Sequence, residues 1–216
     1  MKRILLAAAV LLWASLFASG QRRVFLEKEY EPLLSRDIFV IVSDGKISEY
    51  AFQFKNTDLE GWKDSLFVVM DKAECARMRK ALREFRLKYR EWRYAARSNG
   101  VTNYSRPFEI DFPPVTIQRI PYDKRFGLWG TWEENLQTAQ KVKFEPVFEV
   151  SRDGGPSACC YLTIPSADGD STGYKIRLNL WAYCSIFLKA CNTDRLDKMY
   201  QDRQPKPKEF YDSIFK

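Results

Sequence analysis

Residues 71–100 read DKAECARMRKALREFRLKYREWRYAARSNG, and this stretch decides the fold. Cys75, Met78, Leu82, Phe85, Tyr89, Trp92 and Ala96 recur at alternating steps of three and four, the spacing that gathers side chains on one face of an α-helix. Asp71 can cap the helix start, with Glu74 reaching back as in a capping box, and Asn99-Gly100 ends it. The pattern predicts one long amphipathic helix over about 71–98, roughly 40 Å in length. The spacing also suits a coiled coil, but large aromatics in place of Leu and Ile favour packing across a sheet.

On the N-terminal side, Ile38 to Val42 runs into Ser43-Asp44-Gly45-Lys46, and an Asp-Gly step between apolar runs marks a hairpin. The return strand covers about Ile47 to Phe54, with Tyr50, Phe52 and Phe54 on one face, and a Gly61-containing loop leads to Leu66–Met70. On the C-terminal side, Phe108, Ile110 and Phe112 alternate as in a strand, Pro113-Pro114 breaks it, and Val115 to Ile120 resumes in extended form. Val142 to Val150, Ala158 to Ile164 and a long strand from Tyr174 to about Leu188 follow, separated by the Gly154-Gly155-Pro156 turn and the Asp168-Gly169-Asp170 loop. A short helix opens at Thr193 or Asp194 and runs through Gln201, and Pro205 and Pro207 separate it from an apolar-tipped end, Phe210 to Phe215. The expectation is an α+β fold: a mostly antiparallel sheet with the long helix packed on one face and short C-terminal helices.

Lys2 and Arg3 precede an apolar run from Ile4 to Phe17, and Ala18-Ser19-Gly20 supplies the small residues a signal peptidase reads. Residues 1–20 are therefore expected to be a signal peptide and 21–216 a single exported domain, secreted or periplasmic after cleavage near Gly20. The run is short of the ~20 residues that span a bilayer, and no other window approaches that length, so no transmembrane helix is expected in the mature protein. The chain contains no histidine, which removes the Ser-His-Asp and Cys-His nucleophile systems and His-containing zinc sites. Five cysteines, at 75, 159, 160, 184 and 191, include no Cys-x-x-Cys pair. Their ordinary role is as small buried hydrophobes; if any bridge forms in an oxidising compartment, Cys160 and Cys184 are the expected pair. No metal site and no cofactor is expected.

The helix carries a second stripe. Arg79, Arg83, Arg86, Arg90, Arg93 and Arg97 also step by four and three, and residues 71–100 hold ten Lys or Arg against four Asp or Glu, so the positive charge of the protein (+7 overall) is concentrated here. None of the six has an acid three or four residues away; their neighbours at those steps are mostly each other, which is mildly destabilising. Either acids elsewhere in the fold supply the counter-charge while the aliphatic stems cover apolar surface, or the ladder is a docking strip for an anionic glycan, a lipid headgroup or an acidic protein. Nucleic acid is not an expected partner, since no recognisable binding motif accompanies the charge.

Trp129 and Trp132, beside Glu133 and Glu134, offer an alternative: an aromatic platform for sugar with carboxylates near it. Glycoside hydrolysis survives the lack of histidine because it needs two carboxyls ~5–10 Å apart; Asp111, Glu133 and Glu134 are available, though large aromatics mostly supply buried area. Residues 168–173 share part of a calcium-loop pattern but lack its third acid and closing glutamate, so a hairpin loop is expected there. Asn103-Tyr104-Ser105 fits a glycosylation acceptor. The reading as a whole is a non-enzymatic exported binding protein whose candidate contact is the arginine ladder, with carbohydrate binding or hydrolysis as the alternative.

Overall fold

The structure, a computed structural model, describes residues 22–31, 34–54, 65–120, 137–164 and 174–204. The expected signal peptide, the Gly61 loop, Trp129, Trp132, Glu133, Glu134, the 168–173 loop and the 210–215 end lie outside the described residues.

Six strands form one antiparallel sheet: β1 (Arg22–Glu31), β2 (Leu34–Ser43), β3 (Lys46–Phe54), β4 (Ser65–Met70), β6 (Val115–Ile120) and β7 (Gln137–Val142), adjacent in that order. The hairpin at Asp44-Gly45 is as expected, both residues having positive φ (51° and 74°), the conformation that matches the twist of the two strands it joins. A second sheet holds β10 (Tyr174–Asn179), β9 (Pro156–Ile164), β8 (Glu145–Val150) and β5 (Tyr104–Pro107) in that order. The helices are α1 (Lys72–Ser98), α2 (Leu180–Ala190) and α3 (Thr193–Asp202). The α+β architecture, with a long helix and short C-terminal helices, is thus present, and its antiparallel strands divide into two sheets.

Helix α1 starts where the sequence places it. The Asp71 carboxylate accepts the Glu74 N–H at 2.7 Å, and the Glu74 carboxylate accepts the Asp71 N–H at 3.0 Å. Its apolar stripe faces one continuous core, in which Cys75, Met78, Leu82 and Phe85 are completely shielded. Phe85 meets Phe108 and Phe112 at ring separations of 5.1 and 6.5 Å, and Tyr89 meets Trp181 at 4.6 Å. The same core takes in Val40, Phe52 and Val68 from the large sheet, Phe148 and Cys160 from the small one, and Phe187 from α2.

Three local expectations change. Leu180–Ala190 is helix, not the end of a strand: the Asn179 side chain accepts the Ala182 N–H at 3.2 Å, and Leu180, Tyr183, Cys184 and Phe187 turn inward at helical spacing. Val142 to Val150 is two strands, because the chain leaves the large sheet at Lys143-Phe144 and enters the small one. Phe108, Ile110 and Phe112 alternate inward beyond the end of β5: the Phe108 N–H still donates to the Pro146 carbonyl at 2.9 Å, but the Phe112 N–H turns back to the Ile110 carbonyl, and Pro113-Pro114, which cannot donate to a ladder, follow. The charged stretch before Leu34 is strand β1, at an edge of its sheet, where charge guards against further pairing. It is tied to α3 by the Arg195–Glu27 ion pair and by Arg203, whose Nη1 donates to the Phe25 carbonyl at 2.7 Å.

Candidate functional site

The arginine ladder splits into two rows. A step of four residues advances the helical angle by about 40° and a step of three sets it back by about 60°. Arg86 and Arg93 therefore lie nearest the apolar stripe and are half-buried, as is Arg79, while Arg83 and Arg90 turn away and are exposed; Arg97 shares the angle of Arg79 but is exposed in the last turn of the helix. The inner row is engaged with the fold. Arg79 Nη1 donates to Asn192 Oδ1 at 3.4 Å beside α3. The Arg86 charge opposes the effect of burial on the Cys184 thiol, which burial nonetheless pushes up to about 11. Arg93 and Arg97 oppose, less strongly, the burial that raises the Tyr89 phenol.

The outer row has company that the charge pattern alone does not reveal. Leu87 (69 % exposed) lies between Arg83 and Arg90, and Tyr94 (76 % exposed) between Arg90 and Arg97, at the same steps of four and three. The outward face thus alternates guanidinium and apolar group along Arg83, Leu87, Arg90, Tyr94 and Arg97. Among the described residues no ladder arginine has a carboxylate within ion-pair distance; the ion pairs near the start of α1 go to Lys72 and Lys141 instead. The signal for Leu87 and Tyr94 was in the sequence, as large apolar residues falling in register with a charged stripe.

On the opposite flank of α1, Trp92 is half-buried instead of fully in the core. Its ring stacks on Phe108 at 4.7 Å, and both the Arg106 guanidinium (5.2 Å) and the Lys88 ammonium (5.6 Å) approach the ring. Trp92, Ala95, Ala96, Val101, Tyr104 and Phe148 line most of a cleft of about 330 Å³, with Arg106 at its edge 3.7 Å from Glu109. This cleft exists because β5 pairs with β8, setting Tyr104 opposite Val150 and Arg106 opposite Phe148, a long-range register that no local pattern announces.

All five cysteines are buried, and none is in a disulfide. The expected Cys160–Cys184 bridge is not formed: Cys160 Sγ lies 3.9 Å from the Tyr161 carbonyl in its own strand, and Cys184 Sγ lies 3.8 Å from the Leu82 carbonyl on α1. Asp111 and Asn103 are exposed. Among the described residues no group of three potential ligands stands where it could hold a metal ion, and no helix is long and apolar enough to cross a membrane. No family model matches the chain, and no curated protein or solved structure matches it either.

Proposed function

We propose that this protein is an exported, non-enzymatic binding protein that docks an anionic partner on the outward face of α1. The observation that carries the reading is the line of three exposed guanidiniums that have no carboxylate partner among the described residues, interleaved with exposed Leu87 and Tyr94. Guanidiniums left without counter-ions attract carboxylate, sulfate or phosphate in forked geometry. The apolar groups between them add contact area that salt does not screen.

Titration of residues 21–216 with a sulfated glycan, at low and near-physiological salt, tests the reading. Saturable binding that weakens with salt, and that falls about tenfold or more in the triple variant R83E/R90E/R97E, is the expected result, a loss of ~1.4 kcal/mol or more. Binding that the triple reversal leaves unchanged, or no binding at all, overturns it.

The cleft beside Trp92 favours a second reading, in which the same exported domain binds neutral glycan by stacking on aromatic rings. Affinity for an uncharged oligosaccharide that is indifferent to salt and lost in Tyr104→Ala would support that reading over the first.

A further inference from the structure

The exposed line on α1 is a convex ridge. Arg83, Leu87, Arg90, Tyr94 and Arg97 fall within about 80° of helical arc and extend over ~21 Å of the axis, and exposed Lys80 continues the line one turn earlier. No acid shares the ridge. Glu84 and Glu91 lie about 80–100° round the helix on one flank, while Arg86 and Arg93 occupy the other. Among the described residues, none of Lys80, Arg83, Arg90 and Arg97 is in an ion pair. Single exposed apolar residues are ordinary on a protein surface. Leu87 and Tyr94, however, recur at a spacing of seven inside a cationic line, and neither belongs to the core.

We propose that this ridge lies on the surface of a membrane rich in anionic phospholipid, its guanidiniums meeting headgroup phosphates while Leu87 and Tyr94 dip towards the acyl boundary. The inference rests on the docking reading above and names its partner. A convex ridge meets a plane along its whole length, whereas an acidic protein would need a groove matched to it. A sulfated or carboxylated glycan meets the guanidiniums and brushes Leu87 and Tyr94, but offers no apolar phase for them to enter. A phospholipid surface offers both, phosphates at the level of the guanidiniums and hydrocarbon just beneath. Tyrosine settles readily at such an interface, ring in the apolar layer and hydroxyl among the headgroups. Arginine stems lie along apolar groups with the charged end raised towards water.

The packing of α1 limits how deep the contact goes. Its apolar stripe is committed to the core, so on this face only Leu87 and Tyr94 are free to enter lipid. Attachment is therefore superficial, carried mainly by charge, and reversible. Each cation strengthens attachment to a strongly anionic surface about fivefold, so four of them spread over ~26 Å act together and weaken together as salt rises.

Residues 21–216 carry every described element and the whole described core, and co-sedimentation of this protein with vesicles tests the assignment. Phosphatidylcholine vesicles containing phosphatidylglycerol should carry it down at low salt, pure phosphatidylcholine should not, and near-physiological salt should weaken the attachment. R83E/R90E/R97E should lose it, and L87A/Y94A, which keeps every charge, should bind about fivefold more weakly. All five substituted side chains are exposed, so both variants should keep the thermal midpoint of the parent. An independent readout uses the burial of all five native cysteines: Leu87→Cys can be labelled selectively with an environment-sensitive fluorophore. Its emission should move well to the blue on phosphatidylglycerol vesicles and little with the sulfated glycan. Equal sedimentation with both kinds of vesicle, attachment unchanged by the triple reversal, L87A/Y94A binding as tightly as the parent, or an unmoved emission overturns the proposal. Glycan binding without vesicle binding overturns the lipid assignment alone and leaves the docking reading standing; absence of both overturns both.

Discussion

Burial raises the Glu49 carboxyl above its ordinary range, ahead of the opposing attraction of Arg23, and repulsion from Glu74 and Asp71 adds to the rise. The folded protein therefore holds this proton more tightly than the unfolded chain does. The stability that follows is fully present below the unfolded value and is lost as the pH climbs through the raised folded one. At neutral pH the ionised Glu49 is a net cost to the fold. Glu49→Gln should then resist urea better than the parent near pH ~7, with the advantage shrinking towards pH ~4, where both side chains are neutral. An advantage that persists undiminished in acid would mean that packing, not ionisation, sets the difference. At this scale the sequence is only partly legible: it names Arg83, Arg90 and Arg97 as a ladder, but their exposure depends on which flank of α1 the rest of the chain covers.

Helix α1 was legible as an element because everything that defines it is local. Its apolar period, its capping box and the left-handed Gly100 (φ 61°) that follows it are all written within 30 residues. Removing the cap tests that claim: Asp71→Ala should cost ~1 kcal/mol, up to ~2, and lower the thermal midpoint by a few degrees. Asp71→Asn should recover most of the loss, since an amide oxygen accepts the Glu74 N–H equally well. If Asn were as damaging as Ala, the charge of Asp71 rather than its cap would be what matters. Helix α2 was illegible for the converse reason. Six of its eleven residues are buried, so its apolar positions fit a period of two as readily as one of 3.6. Ile186 is its single β-branched residue, and that scarcity, together with Asn179 as a cap, was the better signal for helix.

Across the molecule, both sheets and all three described helices contribute to one apolar core; α1 touches β3 and β4 of the large sheet and β9 of the small one, and α2 likewise touches β3 and β9. The long-range pairing that builds this arrangement, notably β5 against β8 and β1 as the far edge, has no local signature. The class of fold could be read from the order of elements alone. A pair of substitutions two residues apart on α1 separates what this core needs from what the outer face is for. Phe85 is fully shielded and meets the rings of Tyr89, Phe108 and Phe112, so Phe85→Ala should destabilise by ~3–5 kcal/mol, the cost of lost contacts plus a cavity. Leu87 is 69 % exposed, so Leu87→Ala should change stability by no more than ~0.5 kcal/mol while weakening binding of the anionic probe. Chemical denaturation of both variants, read beside the titration, checks the two halves together. A large loss of stability in Leu87→Ala would place that residue in a packing role and strip the outer face of its apolar component, leaving the guanidiniums to account for docking alone.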